Sequence, residues 1–185
     1  MPQNLAYLLT LCLTTFTIGI VVQSTGSMIP FLAAQAHTKA TSYYFVFICR
    51  SIGAVIGAFL YKILERKGMV MNHVKVLGIT SFMYFVTLII FQFWHTSMGV
   101  GVLFGIYFGI YFVQNIPFNI LVLLVPSKDA LPIWLSLTFG SFGFGCLVSP
   151  LLVNALTVHS LTVASVLALV QSISYLFVLK DSRDT

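Results

Sequence analysis

The chain has 185 residues, of which 59% are hydrophobic and only 7% are charged, whereas about 25% of the residues in an ordinary soluble domain are charged. Such a composition cannot cover a globule with polar surface, and it excludes disorder because apolar and aromatic residues run along the whole chain. The net charge is +5, but the nine basic residues stand singly instead of forming a stripe. We therefore predict an integral membrane protein that does not bind nucleic acid.

Six hydrophobic segments are long enough to cross a bilayer, because a hydrocarbon core of about 30 Å requires about 20 apolar residues in a helix. The first segment contains Gly26 and Pro30, which could break it, but the part beyond them is too short to span separately. We expect a single domain, an all-α bundle of six transmembrane helices. The predicted spans are 5–35, 41–64, 74–94, 98–125, 131–156 and 161–179.

The basic residues predict the orientation of the chain, since lysine and arginine are retained on the cytoplasmic side of short loops. With the N-terminus inside, only Lys39 falls on the outer side. The inner side receives Lys62, Arg66, Lys67, Lys75, Lys128, Lys180 and Arg183. We expect both termini on the cytoplasmic side, or on the matrix side if the membrane is the mitochondrial inner membrane.

Small residues recur at four-residue spacing in three of the spans, as they do where membrane helices approach closely. The second span contains Gly53 and Gly57. The other sets are Gly101, Gly105 and Gly109, and Ser141, Gly145 and Ser149. We interpret all three sets as helix-packing surfaces within the chain, with a partner-binding face as the alternative.

Two prolines occupy corresponding places in the two halves of the chain. Pro30 and Pro117 each lie well inside a long span, the first and the fourth. Paired interruptions of this kind are typical of the helices that line the cavity of transporters built from inverted repeats. The prolines therefore favour an arrangement of three plus three helices.

Arg50 is the one charged residue deep inside a predicted span. It lies about ten residues beyond the start of its span, and therefore about 15 Å from the outer surface. An unpaired arginine there costs at least about 2.5 to 3.5 kcal/mol. Three kinds of partner stay open: polar groups of this chain, an acidic residue of a second chain or a lipid head group, and an anionic solute. The candidates within the chain are Gln114, Asn115 and Asn119.

These amides form a polar cluster in the fourth span, in which Asn115 and Asn119 share a face of the helix. Amides donate and accept hydrogen bonds and therefore suit sugar hydroxyls. They also hold membrane helices together, so a substrate cavity and polar packing both stay open. Gln23 in the first span could face the same cavity.

Three segments resemble a transporter family. The second span reads Arg50-x-x-Gly53-x-x-x-Gly57, the fourth is a glycine-rich helix that carries Asn119, and the fifth has a Phe-Gly-rich run that ends in Pro150-Leu-Leu. These features resemble the N-terminal six-helix half of the major facilitator superfamily, in its sodium-dependent glucose transporter-like branch. The resemblance implies half of that fold, a 3+3 repeat, and a sugar-like solute.

The chain departs from this family at its gating and coupling residues. The family has Gly-x-x-x-Asp-Arg/Lys between its second and third helices, whereas here Tyr61 stands in the place of the acid. Asn115 stands where the fourth helix of the family has an acid, and no histidine precedes the Phe-Gly run. The remnant of the gating segment comprises Gly57, Tyr61, Lys62, Arg66 and Lys67.

The sequence carries no set of residues for catalysis or for holding a cofactor. No nucleophile with a base, no phosphate loop and no paired carboxylates occur, and no two histidines have the spacing of metal ligands, so we expect no enzyme, cofactor or metal site. The four acids lie outside the central parts of the spans, whereas ion relays in membranes usually need a buried carboxylate.

Two functions follow from these observations. The first is a non-transporting accessory or structural subunit of a larger membrane assembly, which would bind other membrane protein subunits in the bilayer. The second is a half-size solute transporter of the sugar class that works as a dimer of two copies or with a second half.

Overall fold

The computed structural model describes residues 2–68, 72–93 and 96–181, and six long α-helices account for most of them. Each helix contains a segment long and apolar enough to cross a membrane, and the described ranges contain no strand. The predicted all-α bundle of six membrane helices is therefore confirmed. The helices are α1 Pro2–Gln35, α2 Phe45–Arg66, α3 His73–Phe91, α4 Ser97–Leu124, α5 Leu131–Leu156 and α6 Ser160–Asp181.

The helix bounds agree with the predicted spans to within three residues except at the start of the second; α3 ends at Phe91, and residue 94, the predicted end of that span, lies outside the described residues. The first segment is one helix, since α1 continues without a break past Pro30. The second span was expected to begin near Thr41, but Ala40–Tyr43 form a 3-10 turn and α2 begins at Phe45. A hydropathy pattern does not distinguish a 3-10 turn from the first turn of an α-helix.

The helices lie in the spatial order α2, α4, α3, α6, α1, α5. The most extensive interfaces join α2 with α4, α1 with α5, and α3 with α6, followed by α3 with α4 and α1 with α6. Exchanging α1, α2 and α3 for α4, α5 and α6 returns the same set of interfaces. The packing therefore has the symmetry of two three-helix repeats, and an odd number of crossings per repeat makes the repeats run in opposite directions.

Two buried hydrophobic clusters stack along the bundle. The first joins the early parts of α1, α3 and α5 to the late parts of α4 and α6. The second joins the late parts of α1, α3 and α5 to the early parts of α2, α4 and α6. The helices therefore alternate in direction, as they must if each one crosses the bilayer.

The basic residues collect at the end of the bundle near the first cluster, which we call the basic end. Lys39 lies at the opposite end, in the connection between α1 and α2. Arg183 belongs to the same predicted set but lies outside the described residues. The described side chains at the basic end are Lys62, Arg66, Lys67, Lys75 and Lys128.

Candidate functional site

Glycines bring α2 and α4 into direct backbone contact. A Cβ atom at Gly53 would lie 2.7 Å from the carbonyl carbon of Gly105, and one at Gly57 would lie 2.8 Å from that of Gly109. Both would lie closer still to the carbonyl oxygen, so a side chain at either position would separate the two helices. These glycines are therefore helix-packing residues, and their contacts fix how α2 sits along α4.

Further along the same interface, Gly101 of α4 accommodates an aromatic ring. A Cβ atom there would lie 2.8 Å from Cζ of Phe45, at the start of α2. On both helices, the contact between Phe45 and Gly101 therefore lies nearer the N-terminus than the contact between Gly53 and Gly105. This order of contacts shows that α2 and α4 run parallel.

The interface of α1 with α5 is the counterpart in the other repeat. A Cβ atom at either Gly19 or Gly145 would lie 3.2 Å from the Cα atom of the other glycine. Ser149 donates a hydrogen bond to the Ile20 carbonyl at 2.8 Å, and its Oγ is 2.8 Å from Oγ of Ser24. Gly145 was expected to pack, whereas Gly19 was missed because no glycine or serine lies four residues from it.

Gln114 lies in the interface of α3, α4 and α6, where it is fully buried. Its Nε2 donates to Oγ of Ser81 at 3.0 Å, and Nε2 of Gln171 donates to the same oxygen at 2.8 Å. Ser81 in turn donates to the Leu77 carbonyl at 2.7 Å. Gln114 was interpreted either as a residue of a substrate cavity or as a polar contact between helices. Its position in the structure is that of a polar contact between helices.

We call Ser81, Gln114 and Gln171 the packing centre. The sequence analysis missed two of these residues, Ser81 and Gln171. Gln171 is the only amide in α6, and an amide in the middle of an apolar span is a usable signal for a polar contact between helices. Ser81 gives no such signal, since serine is common in membrane helices and often bonds only to its own backbone.

Arg50 does not contact the packing centre. Its Cζ atom lies 4.1 Å from the centroid of the Phe108 ring, which is a cation–π contact. Because α2 begins at Phe45, Arg50 lies five residues, or about 7.5 Å, beyond the start of its helix, which is shallower than the expected depth of about 15 Å. Gly53 faces Gly105, so the Cα atom of Arg50 lies near the level of Val102, and its side chain extends to the ring of Phe108. Within the described ranges, no hydrogen bond or ion pair reaches the guanidinium.

The energy of this contact does not balance the cost of the charge. A cation–π contact contributes about 0.5 to 2 kcal/mol. An unpaired, ionised arginine at the centre of a membrane helix costs at least about 2.5 to 3.5 kcal/mol, and this cost falls toward the helix ends. Phe108 therefore offsets only part of the cost of placing Arg50 in the membrane.

Asn115 and Asn119 lie on the same side of α4 as Phe108, since positions 108, 112, 115 and 119 follow each other at three- or four-residue spacing. Asn115 is half-buried and Asn119 is exposed. We call this surface the Arg50 face and define it by five residues. They are Arg50, Phe108, Phe112, Asn115 and Asn119.

Gln23 lies on α1 and is exposed, as are Gly26 and Pro30 on the same strip of that helix. Its neighbours Ser24 and Thr25 are fully buried, and each donates a hydrogen bond to its own helix. Gln23 is therefore the polar residue of this segment that a partner or solute can reach. Pro117, the counterpart of Pro30 in α4, is buried.

The segment compared with the gating loop of the transporter family belongs to a helix. As the predicted span 41–64 implies, Gly57, Tyr61 and Lys62 lie within α2, which continues to Arg66. Tyr61 is 1% exposed, and its buried hydroxyl has no hydrogen-bond partner among the described residues. The other members, Lys62, Arg66 and Lys67, are exposed at the basic end.

Comparison with protein-family models, with curated proteins and with solved structures gives no match to this chain.

Proposed function

We propose that this six-helix bundle is a non-transporting structural subunit of a membrane assembly, and that it binds another membrane protein through the Arg50 face. The observation that carries the proposal is the guanidinium of Arg50, which lies within the second membrane span against the ring of Phe108 and has no hydrogen bond or ion pair within the described ranges. An acidic residue of a docked partner would supply the missing counter-charge.

The surface around Arg50 suits a partner within the membrane. Asn119 on the Arg50 face is an exposed amide, and amides form hydrogen bonds across helix interfaces in bilayers. In α2, which carries Arg50, only 22% of the most apolar window is buried within the bundle, against 44% in α4. The bundle therefore leaves most of α2 uncovered, and this is the helix that carries the unpaired charge of Arg50.

The positions of the acids favour a structural role over ion-coupled transport. Glu65 lies in the last turn of α2, Asp129 lies in the connection between α4 and α5, and Asp181 ends α6. The fourth acid, Asp184, lies outside the described residues. Proton and sodium relays in membranes use carboxylates inside the spans, and none of these positions serves that purpose.

A half-size transporter for sugar-like solutes is the second candidate. Asn115, Asn119 and the half-buried Phe112 share one face of α4, and ligand sites combine apolar or aromatic surface with a few polar groups in this way. The solute would lie between this face and a second half, either another copy of the chain or a different six-helix protein. The symmetric helix pairing and the resemblance to the major facilitator superfamily support this alternative.

We also propose that the basic end of the bundle faces the cytoplasm, or the matrix if the membrane is the mitochondrial inner membrane. The clustering of Lys62, Arg66, Lys67, Lys75 and Lys128 at one end supports this orientation.

An uptake assay in liposomes separates the two candidates. We expect purified, monodisperse and helical chain to give no saturable uptake of radiolabelled hexoses above that of protein-free liposomes. Saturable uptake that is lost on Asn119→Ala, while the variant keeps its helical circular dichroism, would overturn the structural role.

A further inference from the structure

An apolar groove lies between α2, α3 and α4. Its volume is about 730 Å³, and it follows α2 from Cys49 to Leu64, which corresponds to about 22 Å of helix. The groove exists because α2 and α3 each pack against α4 and not closely against each other. It lies on the side of α4 that carries Val102, Ile106 and Val113, away from the Arg50 face.

Cationic side chains stand at the mouth of this groove at the basic end. Lys67 follows Leu64 by three residues on the groove side of α2, and Lys75 precedes Ile79 by four residues on the groove side of α3. Both lysines are exposed. The groove therefore passes from an apolar floor to a positively charged rim.

The charge at this rim is unbalanced. Glu65 is the one acid in the last turns of α2 and the first turn of α3 within the described ranges. The cations of the same segments are Lys62, Arg66, Lys67 and Lys75. Four positive charges against one negative charge leave three that attract an anion.

Tyr61 lines the groove just below this rim. Its hydroxyl is buried and finds no hydrogen-bond acceptor among the described residues. A buried hydroxyl normally has a partner, so this oxygen indicates a missing group with acceptor atoms. The required occupant thus has an apolar body, acceptor oxygens below the rim and a negative charge at the rim.

We propose that the groove is a binding site for one anionic phospholipid. The acyl chain lies along the floor formed by Gly53, Gly57 and the α4 glycines, and the head-group phosphate lies beside Lys67 and Lys75. The glycerol ester oxygens lie at the depth of Tyr61, whose hydroxyl donates to one of them after a small change in χ1. A membrane helix from a partner would fill the apolar part but would leave the cationic rim without a counter-charge.

Native mass spectrometry tests the lipid preference on the full chain, after release from nanodiscs with equal amounts of phosphatidylglycerol and phosphatidylcholine. We expect one retained lipid, with phosphatidylglycerol favoured. Each lysine near the surface contributes about a fivefold preference, so Lys67→Ala with Lys75→Ala should lower the ratio by about 25-fold at low salt. Lys39→Ala, at the opposite end, should leave the ratio unchanged. Equal retention of the two lipids by the unaltered chain would overturn the proposal.

A matched pair of bulky substitutions tests the place of binding. Ile106 on the groove side of α4 is 48% exposed, and Ile173 on α6 is 44% exposed, so neither change to tryptophan disturbs the core. We expect Ile106→Trp to abolish retention of the lipid and Ile173→Trp to preserve it. Equal effects of the two changes, or a protein in place of lipid cross-linked at position 106 in native membranes, would contradict the site.

Discussion

Gln114 and Asn115 are neighbours in sequence but serve different surfaces. Successive residues of an α-helix point about 100° apart, so Gln114 enters the interface of α3, α4 and α6 while Asn115 lies on the Arg50 face, two turns beyond Phe108. The first is fully buried and bonded to Ser81, whereas the second is half-buried. The packing centre and the proposed docking surface are thus adjacent and separate.

Ser81→Ala should destabilise the bundle because one hydroxyl accepts hydrogen bonds from Gln114 and Gln171. Hydrogen bonds between membrane helices contribute about 0.6 kcal/mol each on average, so the loss of both should lower the free energy of unfolding by about 1 to 2 kcal/mol. Unfolding by sodium dodecyl sulfate in mixed micelles, followed by circular dichroism, measures this change.

Ser174→Ala is the matched control for this substitution. Ser174 donates only to the Val170 carbonyl of its own helix, so its replacement should change the free energy of unfolding by less than about 0.5 kcal/mol. Equal losses for the two alanine variants would contradict the role of Ser81 as the residue that joins three helices.

The sequence identifies unusual residues more readily than it identifies their partners. Arg50 and the amides of α4 stand out because charges and amides are rare within apolar spans. The partners of Ser81 lie 33 and 90 residues away along the chain. No local pattern encodes such pairings, so the division between Gln114 and Asn115 required the packed structure.

At the scale of helices, close crossings on glycine hold both repeats together. Gly53 and Gly57 of α2 meet Gly105 and Gly109 of α4, and α1 meets α5 at a corresponding crossing. With lipid around the bundle, the hydrophobic effect between helices is weak, so the contact area gained by close approach matters more than in water.

Gly53→Ala should weaken the crossing of α2 with α4. The new Cβ atom would lie 2.9 Å from the Cα atom of Gly105, and backbone cannot move aside as a flexible side chain does. Overpacking of this kind costs about 1 to 3 kcal/mol, which unfolding in mixed micelles would detect.

Gly143→Ala provides the control for this crossing, because a Cβ atom at Gly143 meets nothing within 4 Å. The change should be neutral or should stabilise α5 by up to about 1 kcal/mol, since alanine is the better helix former. A loss of stability at position 143 as large as that at position 53 would contradict the account of the crossing.

The spans were predictable because length and hydropathy are local properties of the sequence. The four-residue spacing of small residues predicted packing faces on α2, α4 and α5 without saying which helices meet, whereas Gly19 on α1 has no glycine or serine at that spacing and went unnoticed. The start of α2 was misplaced because Ala40–Tyr43 has the composition of a helix start and forms a 3-10 turn. The six helices could thus be predicted from the sequence, but the pairs of helices that pack together could not.

For the whole molecule, the clustering of basic residues predicts one orientation in the membrane. In a chain whose three cysteines are replaced by alanine, an impermeant maleimide added outside intact cells should label Thr38→Cys and not Ser127→Cys. Both positions are exposed in connections at opposite ends of the bundle. Labelling of Ser127→Cys before permeabilisation would reverse the proposed orientation.

The symmetry of the bundle emerges only from the pairing of its helices. Pro30 and Pro117 favoured three plus three helices, and the interfaces have the corresponding symmetry. The pairs α1 with α5 and α2 with α4 are not neighbours in sequence, so hydropathy could not predict them. The same arrangement leaves α2 and α5 at the two ends of the spatial order, where they are open to lipid or to a partner.

The most direct test of the proposed function is photo-cross-linking in native membranes from p-benzoylphenylalanine placed at Asn119 on the Arg50 face. Phe177 on α6, which is 69% exposed, provides the control position. We predict one discrete adduct with a different membrane protein from position 119, reduced by Arg50→Ala, and lipid adducts alone from position 177. Lipid adducts alone from both positions, or an adduct of two copies of this chain from position 119, would contradict a structural subunit that docks through the Arg50 face.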